Sequence, residues 1–178
     1  MDVSTYLLIN SSTVMVDITA IHLLLTYKCI WKCEHCFVWS APDCKGVMTL
    51  EEVSSVLSGS RRLGTVERIC FEGGEPFLYY PIMLKGIERA KEEGFTVSLV
   101  TDCYWVTTLE DAREWLRPIA GMGLDLLNVS GDVYHGEGVE TQEVRNSVKA
   151  ARELGIPVSI LAVLKPGEKG PDSVEGIP

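Results

Sequence analysis

"VERICFEGGEPFLYYPIMLKGIERAKEEGFTVSLVT", residues 66–101, holds two apolar, β-branched runs, "VERICFE" (66–72) and "FTVSLVT" (95–101). Such runs read as strands buried on both faces. Between them Pro81 suits the first position of a helix, Met83, Ile87 and Ala90 recur at helical spacing, and Gly94 falls just past its end. Strand, helix and strand together span about thirty residues, the length of one βαβ step.

The pattern extends in both directions. Further strands are predicted at "AIHLLLT" (20–26), "LDLLNVS" (124–130) and "PVSILAVL" (157–164). Thr49 and Glu52 fit a capping box ahead of Val53, Val56, Leu57 and Leu63. Thr107 and Glu110 make a second capping pair before Ala112, Trp115, Leu116 and Ile119. Val144, Val148, Ala151 and Leu154 predict a last helix that stops at Gly155. Alternation of this kind predicts an α/β fold, a parallel sheet with helices outside it. Five strands do not close an eight-stranded barrel. The expected architecture is an open, partial TIM-like barrel of about five βα units, with a flat doubly wound sheet as the alternative. Residues 20–165 form this core, 1–19 an N-terminal segment of unclear role, and 166–178 a flexible tail or truncated continuation, rich in Gly, Pro and charge.

The chain has 178 residues and a net charge of −9. That balance lacks the basic face of a nucleic-acid binder. Its longest apolar runs are too short to span a bilayer. No basic segment followed by an apolar one marks a signal peptide at the start. The expected location is the cytoplasm, with neither nucleic acid nor membrane as partner.

Six cysteines stand at 29, 33, 36, 44, 70 and 103. In a reducing compartment, clustered cysteines bind metal or do redox chemistry more often than they pair. Cys70 and Cys103 lie in or beside apolar runs and read as small buried hydrophobes. His22, inside the first strand, reads as a core or hydrogen-bonded histidine. Cys29, Cys33 and Cys36 form C-x3-C-x2-C, in the surplus length of the first βα unit, between Thr26 and Met48. Three thiolates can wrap one face of a 4Fe-4S cube and leave one iron open to a small molecule, whereas the usual clusters have four.

"CIWKCEHC" (29–36) resembles the cysteine signature of the radical S-adenosylmethionine superfamily, with His35 where members commonly have an aromatic residue and Ile30 where many have Asn. "FEGGEP" (71–76) resembles the family's GGEP motif, which contacts the methionine amino group of S-adenosylmethionine. On that resemblance Gly73 and Gly74 let the backbone approach the ligand, Glu75 supplies charge near its ammonium, and Pro76 ends the strand. Taken alone, Gly-Gly-Glu-Pro also reads as a turn. Ser130 and Asp132 in "NVSGD" (128–132) are candidates for the ribose hydroxyls, against an ordinary Ser-Gly-Asp turn. Thr101, with Asp102, lies where relatives often have Thr-Asn-Gly. His135, in the polar loop after strand four, is the candidate on the substrate side; a loop histidine is otherwise simply solvated. All these positions follow the C-terminal ends of successive strands, which parallel pairing brings to one face.

The resemblance implies a 4Fe-4S cluster, S-adenosylmethionine, and a flavodoxin- or ferredoxin-type electron donor. It implies a 5′-deoxyadenosyl radical that takes hydrogen from an unidentified substrate. Relatives have six βα units, so the chain is expected to be truncated after its fifth strand. Two alternatives stand beside the enzyme reading. One is a structural four-cysteine zinc or iron–sulfur site closed by Cys44. The other is a truncated, inactive relative.

Overall fold

The computed structural model describes residues 17–132, 141–164 and 166–167. Five strands, β1 (Ala20–Thr26), β2 (Arg68–Gly73), β3 (Thr96–Thr101), β4 (Leu126–Ser130) and β5 (Val158–Leu161), alternate with four helices, α1 (Leu50–Leu63), α2 (Tyr80–Glu92), α3 (Leu109–Gly121) and α4 (Gln142–Glu153). Every neighbouring pair is parallel, and the order across the sheet is β1-β2-β3-β4-β5. A doubly wound sheet reverses its order at a switch point. Sequential order instead winds the sheet one way, as in a barrel left open. Of the two expected architectures, the partial barrel is the one observed.

Alternation along the strands sorts the side chains. Leu23, Leu25, Ile69, Phe71, Val97, Leu99, Leu127 and Val129 are buried against the helices, with Val53, Leu57, Met83, Ile87, Leu116, Ile119 and Val148 opposite. The other face is polar. His22 Nδ1 lies 2.9 Å from Glu72 Oε1, and Ser159 Oγ donates to Asn128 Oδ1 at 2.7 Å. Cys70 belongs to this inner face, in register with His22, and its thiol bonds the Ser98 side chain.

Local signals set most boundaries. Thr49 caps α1 through a complete capping box with Glu52, and Gly155, at φ 74°, follows α4 in the left-handed region. A single 3-10 turn (Pro76–Tyr79) precedes α2, so the helix opens at Tyr80 with Pro81 in its first turn. The N-cap of α3 differs from expectation. It is Thr108, whose hydroxyl accepts from Asp111 N at 3.1 Å, while Thr107 Oγ1 donates to the Asp111 carboxylate. Two adjacent threonines each precede an acid by three residues, so the pattern is degenerate by one position. Strand β5 is shorter than its apolar run because Val163 N donates to Asp132 Oδ2 at 2.9 Å and no longer serves the sheet.

The first crossover is the longest. Paired Ala20 and Arg68 are separated by nearly fifty positions, paired Arg68 and Thr96 by fewer than thirty. The extra chain is pinned by bridges between Thr26 and Val47 and between Lys28 and Ala41. Met48 N also donates to Leu25 O at 2.8 Å.

Candidate active site

The strand ends and the long first loop enclose one cavity of about 260 Å³. Cys29, Cys33, His35 and Cys36 line it from the loop, Gly73 and Gly74 from β2, Thr101 and Asp102 from β3, and Ser130 and Asp132 from β4. Nine of the expected cofactor and metal residues therefore share one hollow. Glu75 and Pro76 are buried behind it and do not line it. His135 lies outside the described residues.

The loop is shaped by its own backbone. Cys29 N donates to Ala41 O at 3.2 Å, and Cys36 N donates to Cys33 O at 3.1 Å in a tight turn. Sulfur atoms accept from nearby amides, Cys29 Sγ from Trp31 N at 3.4 Å and Cys36 Sγ from Ser40 N at 3.3 Å. Cys44 faces elsewhere. Its thiol points at Trp39 O, 3.6 Å away, and it does not line the cavity.

Gly73 and Gly74 border the cavity and also have a task within the protein. A Cβ on Gly74 would lie 2.0 Å from Lys28 O, and one on Gly73 would lie 2.4 Å from Thr26 O. Gly74 N donates to Thr26 O at 2.6 Å and Glu75 N donates to Lys28 O at 2.9 Å. Two residues without side chains thus let the end of β2 close on the backbone leading into Cys29. Gly73 sits at φ 133°, which also favours glycine.

Glu75 is the hub behind the cavity. Its carboxylate accepts from Phe77 N at 2.9 Å, from Asp102 N at 2.7 Å, and from Thr101 Oγ1 at 3.1 Å. Thr101 Oγ1 in turn accepts from Cys103 N at 3.1 Å and Trp105 Nε1 at 2.9 Å. Trp105 stacks on Phe77 with ring centroids 4.2 Å apart. Burial, with Asp102 nearby, pushes the Glu75 carboxyl well above its usual range. Glu75 therefore fixes the β2 and β3 ends to each other. Cys103 completes the turn in the left-handed region, at φ 65°, the region glycine favours; here a buried cysteine occupies it.

The cavity is electronegative. Glu72, Asp102 and Asp132 line it, and among the described residues no lysine or arginine does. Asp102 Oδ2 is 3.5 Å from Cys29 Sγ. Burial, followed by the carboxylates of Asp102 and Glu75, pushes the Cys29 thiol up to about 12; burial, followed by the neighbouring Cys36, raises that of Cys33. A hollow with this field suits a cationic small molecule. The donor set fits a cluster better than one ion. Among the described residues, only His22, Cys70 and Glu72 bring three such donor atoms within 4.8 Å of one another. The sulfurs of Cys29, Cys33 and Cys36 do not all lie within 4.8 Å of one another, and Cys44 does not line the cavity with them. Wider spacing on one cavity wall is what a multi-iron cluster bound through three thiolates requires.

The sequence reading missed Glu72, Trp31, Phe37 and Ser40 as lining residues. Glu72 carried a signal, a charge on the inner face of an apolar strand one residue before the glycines. No helix among the described residues is long and apolar enough to cross a membrane.

Comparison with known proteins follows the same lines. The sequence model of the Radical SAM superfamily matches residues 23–173. The chain is 25% identical over 143 residues to the putative peptide biosynthesis protein YydG of Bacillus subtilis, covering 79% of this chain and 45% of that one. It is 27% identical over 147 residues to the tungsten-containing aldehyde ferredoxin oxidoreductase cofactor-modifying protein of Pyrococcus furiosus, covering 76% and 40%. The chain thus spans less than half the length of these curated relatives. Among solved structures it resembles BtrN in complex with AdoMet and 2-DOIA, with a TM-score of 0.62 at 18% identity, over 83% of this chain and 58% of that one. It also resembles methylornithine synthase (PylB), with a TM-score of 0.58 at 15% identity, over 81% and 44%. At such identities these structures speak for the fold alone.

Proposed function

Because the chain belongs to the radical SAM superfamily, we propose that Cys29, Cys33 and Cys36 hold a 4Fe-4S cluster and that the cavity beside them binds S-adenosylmethionine. When bound, the two supply reductive cleavage of the sulfonium and a 5′-deoxyadenosyl radical that takes a hydrogen atom from a substrate. The observation that carries this reading is the convergence of three thiols and three strand ends on one carboxylate-lined cavity, with no lysine or arginine lining it among the described residues.

The chain's own residues divide the work. The three cysteines bind metal as thiolates, and the raised pKa values of Cys29 and Cys33 mean that metal has to displace protons held by those two sulfurs. Asp102 sets negative charge beside Cys29, where a cationic methionine moiety gains from it. Ser130 and Asp132, at the end of β4, offer hydroxyl and carboxylate oxygens to a ribose. Glu75 is a positioning residue here. It acts on the ligand through Asp102 and Thr101, whose places it fixes. Electrons come from a flavodoxin- or ferredoxin-type donor.

Anaerobic reconstitution tests this directly. About four irons per chain are expected, together with a change in the electron paramagnetic resonance spectrum of the reduced protein when S-adenosylmethionine is added. Dithionite should then release 5′-deoxyadenosine above the level of a Cys33→Ala control. Tightly bound zinc in place of iron, or a spectrum unmoved by saturating S-adenosylmethionine, would overturn the reading.

A further inference from the structure

On the polar face of the sheet, apart from the cysteine loop, three donors of different chemistry meet. His22 and Cys70 are partners in the parallel register of β1 and β2. Glu72 lies two residues beyond Cys70 on the same face. His22 Nδ1 is 2.9 Å from Glu72 Oε1, and the nitrogen, sulfur and oxygen of the three side chains all lie within 4.8 Å of one another. We propose that His22, Cys70 and Glu72 form a second metal site, for a zinc-class divalent cation, with one coordination position left open.

Chemistry, geometry and access each support the site. A thiolate with an imidazole and a carboxylate is a borderline-soft set that suits zinc better than magnesium or calcium. Around tetrahedral zinc, ligand atoms stand about 3.3–3.8 Å apart, given bonds of about 2.0–2.3 Å. The three donors are within roughly an ångström of that spacing, a distance that side-chain torsions cover without moving the sheet. A hydrogen bond links His22 to Glu72, and the Cys70 thiol lies beside that pair. The Ser98 side chain bonds the Cys70 thiol, the kind of outer contact that orients a ligand.

Access differs sharply among the three. Cys70 is 8% exposed, whereas the His22 side chain is 60% exposed and that of Glu72 13%. A cation therefore enters from the His22 side and meets the sulfur last. Three protein ligands with an exposed approach match the pattern of zinc sites that keep a position for water or a bound molecule. Glu72 also lines the large cavity, while His22 and Cys70 do not. An ion here sits against the cavity wall and is distinct from anything the loop cysteines hold.

The test uses the full chain with its cysteine loop already loaded with iron anaerobically. One equivalent of zinc chloride is added and unbound metal is removed. Elemental analysis should find about one zinc per chain beside the iron. Zinc-edge X-ray absorption should find one sulfur at about 2.3 Å, the other neighbours being nitrogen or oxygen at about 2.0–2.1 Å. Cys70→Ser and His22→Ala should each weaken zinc retention at least tenfold and leave iron unchanged. His22→Ala is the safer variant, because the residue is exposed and its loss leaves no hole in the core. Zinc bound through two or more sulfurs, retention indifferent to both substitutions, or no zinc held at micromolar concentration would each overturn the proposal. Iron content reports separately on the loop, so the two sites fail or succeed independently.

Discussion

Gly74→Ala is the sharpest test of how the site is assembled. The added Cβ would stand 2.0 Å from Lys28 O, 2.5 Å from Lys28 C and 3.0 Å from Tyr27 C, all backbone atoms that no rotamer change can remove. To reach ordinary contact, one backbone has to retreat by about 1.4 Å. That movement breaks the bond from Glu75 N to Lys28 O, now 2.9 Å, and strains the 2.6 Å bond from Gly74 N to Thr26 O. Each bond contributes about 0.5–1.5 kcal/mol, and overpacking costs about 1–3 kcal/mol. The expected loss is about 2–5 kcal/mol, or roughly 5–15 °C in Tm for a chain of this size. The larger effect falls on metal. Cys29 adjoins Lys28, and a ligand displaced by an ångström lies far outside the roughly 0.2 Å that a metal site tolerates. Iron after anaerobic reconstitution should fall below about half of wild type. Gly121→Ala is the control, since nothing lies within 4 Å of its Cβ position at the end of α3. It should be neutral or stabilising by up to about 1 kcal/mol. A Gly74→Ala protein with full iron and a Tm within about 2 °C of wild type would refute the argument that the glycine sets the loop.

Other outcomes follow from the same geometry. Cys44→Ala should keep its iron while Cys29→Ala, Cys33→Ala and Cys36→Ala lose it, as measured by iron per chain; loss of iron in Cys44→Ala would revive the closed four-cysteine site. Burial raises the Glu75 carboxyl above its ordinary value of 4.5, so the folded apoprotein holds a proton that the unfolded chain releases, and stability falls as pH rises above that value. Glu75→Gln cannot titrate, and its urea midpoints between pH 5 and 8 should decline less than those of wild type; parallel slopes would show that Glu75 is already ionised in the fold. Thr108→Ala should lower stability by about 1 kcal/mol through loss of the α3 cap, and Thr107→Ala by less, in chemical denaturation; the reverse order would return the cap to Thr107.

The sequence carried the architecture because a βα repeat announces itself locally. Strand runs, the Thr49 box and the glycines after helices are each read within a few residues. The cysteine loop was legible for the same reason, three thiols in eight positions. The tasks of Gly73, Gly74 and Glu75 were not, because they depend on backbone brought from Thr26 and Lys28 and on Thr101 and Asp102, all distant along the chain. The motif's glycines border the cavity and also press against protein backbone, and its glutamate is buried behind them. The cap of α3 slipped by one residue because Thr107 and Thr108 offer the same local pattern. His22, Cys70 and Glu72 read as unrelated residues until β1 and β2 were set in register.

The long first crossover has an entropic consequence. Closing a flexible loop costs free energy that grows only with the logarithm of its length. Stretching the β1-to-β2 connection from fewer than thirty positions to nearly fifty therefore adds only about 0.5 kcal/mol. The bridges at Thr26 and Lys28 reduce even that, because they divide the excursion into shorter closures. The sheet is almost indifferent to how much chain is stored between its first two strands. That makes this crossover the place where the fold can accommodate a metal-gathering segment, or change that segment's length, while the four parallel pairings stay as they are.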